Sequence, residues 1–269
     1  MTKSRNTPLG QVALLERPLS ARSLVASLLL GMRPPRLSGA RLVRWCTLFG
    51  IAEGTARVAL HRMVAAGELS AADGTYELAG RVRARQRPQD WSLTPRLAGW
   101  TGEWSLAVVA ADARPAPERV ALRDAMRRLR YAELREGVWT RPANLPRAAA
   151  PEESWAIAGA QCTWWSGRPA DDDRELAQRL FAPTEWAQRA ELLAARLRDE
   201  TIALGPDRLA DAFVAGAATL AHVRADPLLP PELCGRGWPG PRLRRAYGDY
   251  QRSFAIAVRD WFRSTDGRA

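Results

Sequence analysis

Lysine is almost missing from this 269-residue chain: Lys3 is the only one, and the other 39 basic residues are arginine. Arginine keeps its charge and forks onto phosphate oxygens or guanine edges. An Ala-, Gly- and Pro-rich chain from a GC-rich genome shows the same bias, so it decides nothing alone. Histidine is scarce too, with only His61 and His222, which leaves no assembled triad and no ligand cluster for a metal. The three cysteines, Cys46, Cys162 and Cys234, are far apart and form no CxxC pair, which argues against a disulfide framework and a zinc site. No apolar run, that around residues 24–31 included, approaches the ~18–20 residues that span a membrane. No basic-then-apolar leader opens the chain, so a cytoplasmic protein without membrane contact is expected. GxSxG, HExxH, P-loop and dinucleotide-type glycine motifs are missing in the right context. The expectation is therefore a protein that is not an enzyme, with no catalytic residues, metal or cofactor.

What is present is an uneven charge. The formal net charge is +11. Residues 1–90 carry 14 Lys/Arg against 6 Asp/Glu, whereas residues 91–269 carry 26 against 23. A basic first third joined to a near-neutral body is the electrostatic footprint of a nucleic-acid-binding module.

Patterning within that third agrees. Residues 1–19 are polar and read as a flexible N-terminal arm. Ser20 caps a helix through residue 30, with Leu24, Val25, Leu28 and Leu29 on one face. Pro34, Pro35 and Gly39 break the chain across residues 32–39. A second helix covers about 40–49 and ends at Gly50. A third covers about 53–66 and stops at Gly67. On the third helix Ala56, Ala59, Leu60, Met63 and Val64 share one side, and Arg57, Val58, His61 and Arg62 the other. Asp73-Gly74 between two short alternating runs predicts a hairpin. Three helices followed by a hairpin make a winged helix-turn-helix domain, here residues 20–90.

Residues 91–102 read as a linker, 103–111 as a buried strand, 118–130 as an amphipathic helix, 133–141 as two short strands or one bent around Gly137, and 155–164 as a further strand. That order suggests a ferredoxin-like central domain over 91–170. Asp171-Asp172-Asp173 suits a helix start, where acids complement the dipole. Helices are expected over about 174–181, 185–204, 207–224 and 241–263, giving an α-helical C-terminal domain over 171–269. The fold class expected is α+β and multi-domain. Among eleven tryptophans, Trp104, Trp139, Trp164 and Trp238 are candidates for an aromatic-lined effector pocket between the central and C-terminal domains.

Three separated stretches resemble one family. Ser23-Leu24-Val25, Gly50-Ile51-Ala52-Glu53 and residues 57–64 with Gly67, Leu69 and Tyr76 form the first. Leu122-Arg123 through Leu134-Arg135-Glu136-Gly137-Val138-Trp139 and Pro142 form the second. Asp226-Pro227-Leu228-Leu229-Pro230 through Leu233 and Trp238-Pro239-Gly240 form the third. In this order they resemble the PaaX family of bacterial transcriptional regulators, over about residues 20–262. Position 52, usually a Ser-like helix cap in such proteins, is Ala52 here. The resemblance implies a repressor of a catabolic operon, such as phenylacetate degradation, acting as a homodimer on a palindromic double-stranded DNA operator. It also implies release by an aryl- or acyl-CoA thioester effector, and a central domain similar to CRISPR-associated Cas2 proteins that serves in dimerisation.

The helix-turn-helix pattern then gives roles to residues. The third helix enters the major groove, with Arg57, Val58, His61 and Arg62 facing bases or flanking phosphates. Thr55 and Arg44 contact the backbone near the helix start, and the hairpin at Asp73 and Gly74 touches the minor groove or its phosphates. Two alternatives belong to other classes. One is an acyl-CoA-binding protein or enzyme with a vestigial helix-turn-helix. The other is a Cas2-like nuclease built on Asp112, for which no second acid is placed to complete a metal site.

Overall fold

The computed structural model describes residues 19–111 and 114–266. Of the expected arm only Leu19 falls within them, and Asp112 lies outside the described residues. The chain is a mixed α+β protein with two antiparallel sheets.

The N-terminal elements are α1 (Ala21–Leu30), β1 (Arg36–Ser38), α2 (Gly39–Leu48), α3 (Glu53–Ala65), β2 (Leu69–Ala72) and β3 (Thr75–Leu78). Ser20 starts α1 as expected, in a capping box in which its side chain accepts from the Ser23 N–H. The Pro-rich break at 32–39 holds the short strand β1, which pairs with β3 through Leu37 and Tyr76. The sheet order is β1-β3-β2. Two further helices follow, α4 (Gly80–Ala84) and α5 (Gln86–Leu93). The linker expected from residue 91 therefore begins inside a helix.

The second sheet belongs to β4 (Trp104–Val109), α6 (Ala116–Arg128), β5 (Ala132–Arg135), β6 (Val138–Pro142), α7 (Glu152–Gly159) and β7 (Cys162–Gly167). Its order is β5-β6-β4-β7, with every neighbouring pair antiparallel. The succession is β-α-β-β-α-β. The strand expected over 155–164 is corrected: Trp155 lies in α7 and only residues from 162 are extended. Pro151 precedes the helix and Glu152 and Glu153 fill its first turn, a start signal that outweighs the strand preference of Trp and Ile. One face of the sheet is covered by α6 and α7, where Leu122, Met126, Trp155 and Ala158 pack on Ala107, Trp139 and Cys162.

The remaining helices are α8 (Asp173–Phe181), α9 (Pro183–Ile202), α10 (Leu209–Arg224) and α11 (Gly240–Asp266). Asp172 caps α8, accepting from the N–H groups of Arg174 and Glu175. Packing divides the described residues into two units: 19–90 with 192–221 and 242–266, and 91–111 and 114–191 with 222–241. The boundaries expected from sequence cut the chain elsewhere, because helices of the segment 171–269 are shared between both units. In the first unit Trp45 is wholly buried. Its ring meets Phe49, Phe213, Phe254 and Trp261 edge-on at 5.1–6.2 Å. Contacts of this kind add ~0.5–1.5 kcal/mol each beyond area burial, so α10 and α11 are integral to the core beneath α2.

Candidate nucleic-acid interface

Helix α3 is held by one face and presents the other. Ala56, Leu60 and Met63 are buried, while Thr55, Arg57, Val58, His61 and Arg62 are all exposed. Val58 is 49% exposed. An apolar side chain set among cations on a solvent face suits contact with a thymine methyl. Arg57 pairs with Glu53 one turn back at 3.4 Å, with both side chains largely in water. Such a pair is weak and easily exchanged. The four-residue turn from α2 to α3 relies on Gly50 at φ +76°, a conformation glycine adopts at no steric cost.

The hairpin tip is as expected: Asp73 and Gly74 have φ of 49° and 71°, the pair of left-handed residues that a two-residue hairpin turn needs. Both are exposed. The Gly74 carbonyl accepts from the Gly39 N–H at 2.9 Å, tying the tip to the first turn of α2. Gly39 has no room for a side chain, since a Cβ would stand 2.8 Å from Tyr76.

Arg44 sits differently from the other candidates. Its Nη1 donates to Asp266 Oδ1 at 2.6 Å and to Thr265 Oγ1 at 3.0 Å. Arg41, which the sequence reading did not single out, donates to the same carboxylate from Nε and Nη2 at 2.9 and 2.6 Å. Hydrogen bonds from both arginines hold the Asp266 carboxyl below its usual range. The signal for Arg41 was its spacing: three residues from Arg44, it shares a helix face. Arg22 of α1 pairs with Glu68 and lowers that carboxyl as well.

The four candidate effector tryptophans do not line one pocket. Ala107 stands directly opposite Trp139 on one side and Trp164 on the other, so those two share the face covered by α6 and α7. Trp104 is on the opposite face with Leu176, Leu229, Leu233 and Trp238, and donates to Asp173 Oδ1 at 2.7 Å. Trp238 alone borders a cleft of about 1030 Å³. Its other walls include Arg174 and Arg179 of α8, Gln188 of α9 and Arg236 of the loop after residue 230. Trp238 stacks on Trp186 at 4.7 Å.

Among the described residues no group of three or more His, Cys, Asp or Glu could hold a metal ion, and no helix is long and apolar enough to cross a membrane. Cys46, Cys162 and Cys234 are buried free thiols. Burial pushes Cys46 up to about 11 and Cys234 up to about 12, so neither offers a thiolate at neutral pH.

Residues 20–82 match the family described as PaaX-like protein. The chain is also similar to a solved structure, the uncharacterized protein Rv0674 from Mycobacterium tuberculosis. The two are 38% identical, the match covers 91% of this chain and 99% of that one, and the TM-score is 0.69. No curated protein matches the chain.

Proposed function

The chain belongs to the PaaX-like family, a family of transcriptional regulators, and from that premise we propose that it is a repressor of a catabolic operon. In this reading it binds a palindromic operator as a homodimer and leaves it when an aryl- or acyl-CoA thioester binds. The observation that carries the DNA-binding part is the exposed face of α3, with Thr55, Arg57, Val58, His61 and Arg62 together in solvent. The order α1-β1-α2-α3-β2-β3 with one three-stranded sheet fits a winged helix-turn-helix. In that docking α3 enters the major groove and Arg57, Val58, His61 and Arg62 meet base edges or phosphates. Thr55 contacts the backbone near the helix start, and Asp73 and Gly74 approach the minor groove. Arg44 reaches a phosphate only by releasing Asp266.

The β-α-β-β-α-β sheet serves as the dimerisation domain. Trp165, 62% exposed on the edge strand β7, is the kind of large apolar surface that an interface covers. For the effector, the cleft beside Trp238 offers what a coenzyme A thioester needs: an aromatic wall and arginines for its phosphates. The ligand must bind the DNA-free geometry better to act as an inducer.

Fluorescence anisotropy with DNA from the gene's own upstream region tests this, at several salt concentrations and with or without phenylacetyl-CoA. The expected result is sequence-selective binding that weakens on adding the thioester. Selective binding indifferent to the thioester removes this effector class and keeps the regulator. Weak, unselective binding combined with thioester turnover would overturn the regulator in favour of an acyl-CoA enzyme.

A further inference from the structure

Arg41 and Arg44 converge on a single carboxylate. Asp266 Oδ2 accepts from Nε and Nη2 of Arg41, and Oδ1 accepts from Nη1 of Arg44. Two guanidiniums against one acid leave a net positive charge at the spot. The Arg41 guanidinium also lies over the Phe262 ring at 5.5 Å, which fixes its direction. The place matters as much as the charge. Arg41 is two residues from Gly39, whose N–H is bonded to the hairpin tip at Gly74. In helix-turn-helix docking the first helix of the pair crosses the DNA backbone while the second enters the groove. The first turns of α2 are therefore where a phosphate is due.

We propose that Arg41 and Arg44 form a binding site for a DNA phosphodiester, and that Asp266 occupies this site in the DNA-free protein as an internal stand-in for the phosphate. The proposal rests on the DNA-binding reading above. A carboxylate and a phosphodiester each present two anionic oxygens to the arginine fork, so one replaces the other without rebuilding the site. The contact is also accessible: the Arg41 and Asp266 side chains are 39% and 38% exposed. A pair built only to brace the fold looks different in the same unit. Glu200, bound by Arg196 and Arg208, is 1% exposed. Exposed pairs contribute little to stability, so DNA displaces Asp266 at low cost. Asp266 sets the basal affinity by competing, and does so alike for every sequence because it competes with backbone and not with bases.

Anisotropy titrations of wild type, D266N, R41A and the D266N/R41A double variant test this, on an upstream-region duplex and on a scrambled one. D266N is expected to bind both duplexes more tightly by the same factor, about threefold to tenfold, with sequence preference unchanged. R41A alone weakens both duplexes equally and lowers the salt slope by about 1. In the double variant, which keeps Arg44, the gain is smaller than in D266N alone. Thermal melts of all four establish that they are folded. D266N binding no better than wild type, while R41A is unaltered, overturns the proposal. Wild type binding neither duplex overturns the DNA-binding reading beneath it. A merely structural Asp266 gives a lower melting temperature and no gain in affinity.

Discussion

His222 and Trp186 hold each other twice. His222 Nε2 lies 2.9 Å from the Trp186 carbonyl oxygen, Trp186 Nε1 donates to the His222 carbonyl at 3.2 Å, and the rings stack at 4.5 Å. Burial pushes the imidazole pKa down, outweighing the hydrogen bond to Trp186. The sign follows. The unfolded chain takes up the proton at about 6.5, before the folded protein does, so protonation favours unfolding. His222 therefore contributes stability that is fully present above about pH 6.5 and lost as pH falls through its lower folded value. Melting temperatures from pH 8 to pH 5 are expected to drop across that window, and His222→Gln is expected to flatten the drop. An equally steep drop in the variant assigns the effect to other groups.

Gly216 lies within α10, where alanine ordinarily gains ~1 kcal/mol of helix propensity over glycine. Here the sign reverses. A Cβ would stand 2.4 Å from the Tyr250 ring and hydroxyl. Tyr250 cannot swing away freely, because its hydroxyl donates to the Ala212 carbonyl at 2.8 Å. Overpacking of this kind costs ~1–3 kcal/mol, so Gly216→Ala is expected to lower stability in a urea melt. The Gly216→Ala/Tyr250→Phe pair removes the hydroxyl clash and is expected to recover part of the loss.

What the sequence revealed and what it hid follow one division. Local signals placed α1, α2, α3 and the hairpin, because Ser20, Gly50, Gly67 and Asp73-Gly74 act on their own neighbours. The strand β1 has three residues and exists only by pairing with β3, about 40 positions along the chain, so Pro34 and Pro35 masked it. Trp155 was misplaced by its β-preference against the Pro-Glu-Glu start of α7. The faces of Trp104, Trp139 and Trp164 were legible through the period of two only once the register across β4, β6 and β7 was known. The shared exposed face of Arg57, Val58, His61 and Arg62 was legible because a helix wheel is local. The partner of Arg44 was not, because Asp266 is 222 residues away.

Arg141 is fully buried, and among the described residues no carboxylate pairs with it. Its donors go to Leu129 O at 2.9 Å, Pro142 O at 3.0 Å, Asn144 Oδ1 at 2.7 Å and Leu228 O at 3.3 Å. Burial lowers its pKa to about 10, which leaves it charged at neutral pH. Removing it strands some of these acceptors more than others. Leu228 O keeps the Asn144 amide and Pro142 O keeps the Asn144 N–H, but Leu129 O and Asn144 Oδ1 lose their donor. At ~1–3 kcal/mol for each orphaned group, Arg141→Met is expected to cost about 3–5 kcal/mol despite its similar volume. A denaturant melt reads this, and a loss under 1 kcal/mol would mean that water replaces the guanidinium.

Helix α3 begins without a side-chain cap. Ala52 holds the N-cap position in the extended conformation that capping requires, φ −60° and ψ 143°, and is exposed. The backbone is therefore ready for a residue whose oxygen can accept from the first turn. Ala52→Ser is expected to raise stability by about 1 kcal/mol in a denaturant melt. Ala52→Asp should do at least as well, because its charge also meets the positive end of the helix dipole. The two part company on DNA. Serine adds no charge and should leave affinity equal or slightly improved, since a firmer first turn holds Thr55 and Arg57 in place. In the proposed docking, aspartate puts a negative charge where α3 would enter the groove and should weaken binding to every duplex, more so at low salt. Equal DNA affinity for the two variants would place the start of α3 away from the phosphates, and the docking of this helix would have to be turned end for end.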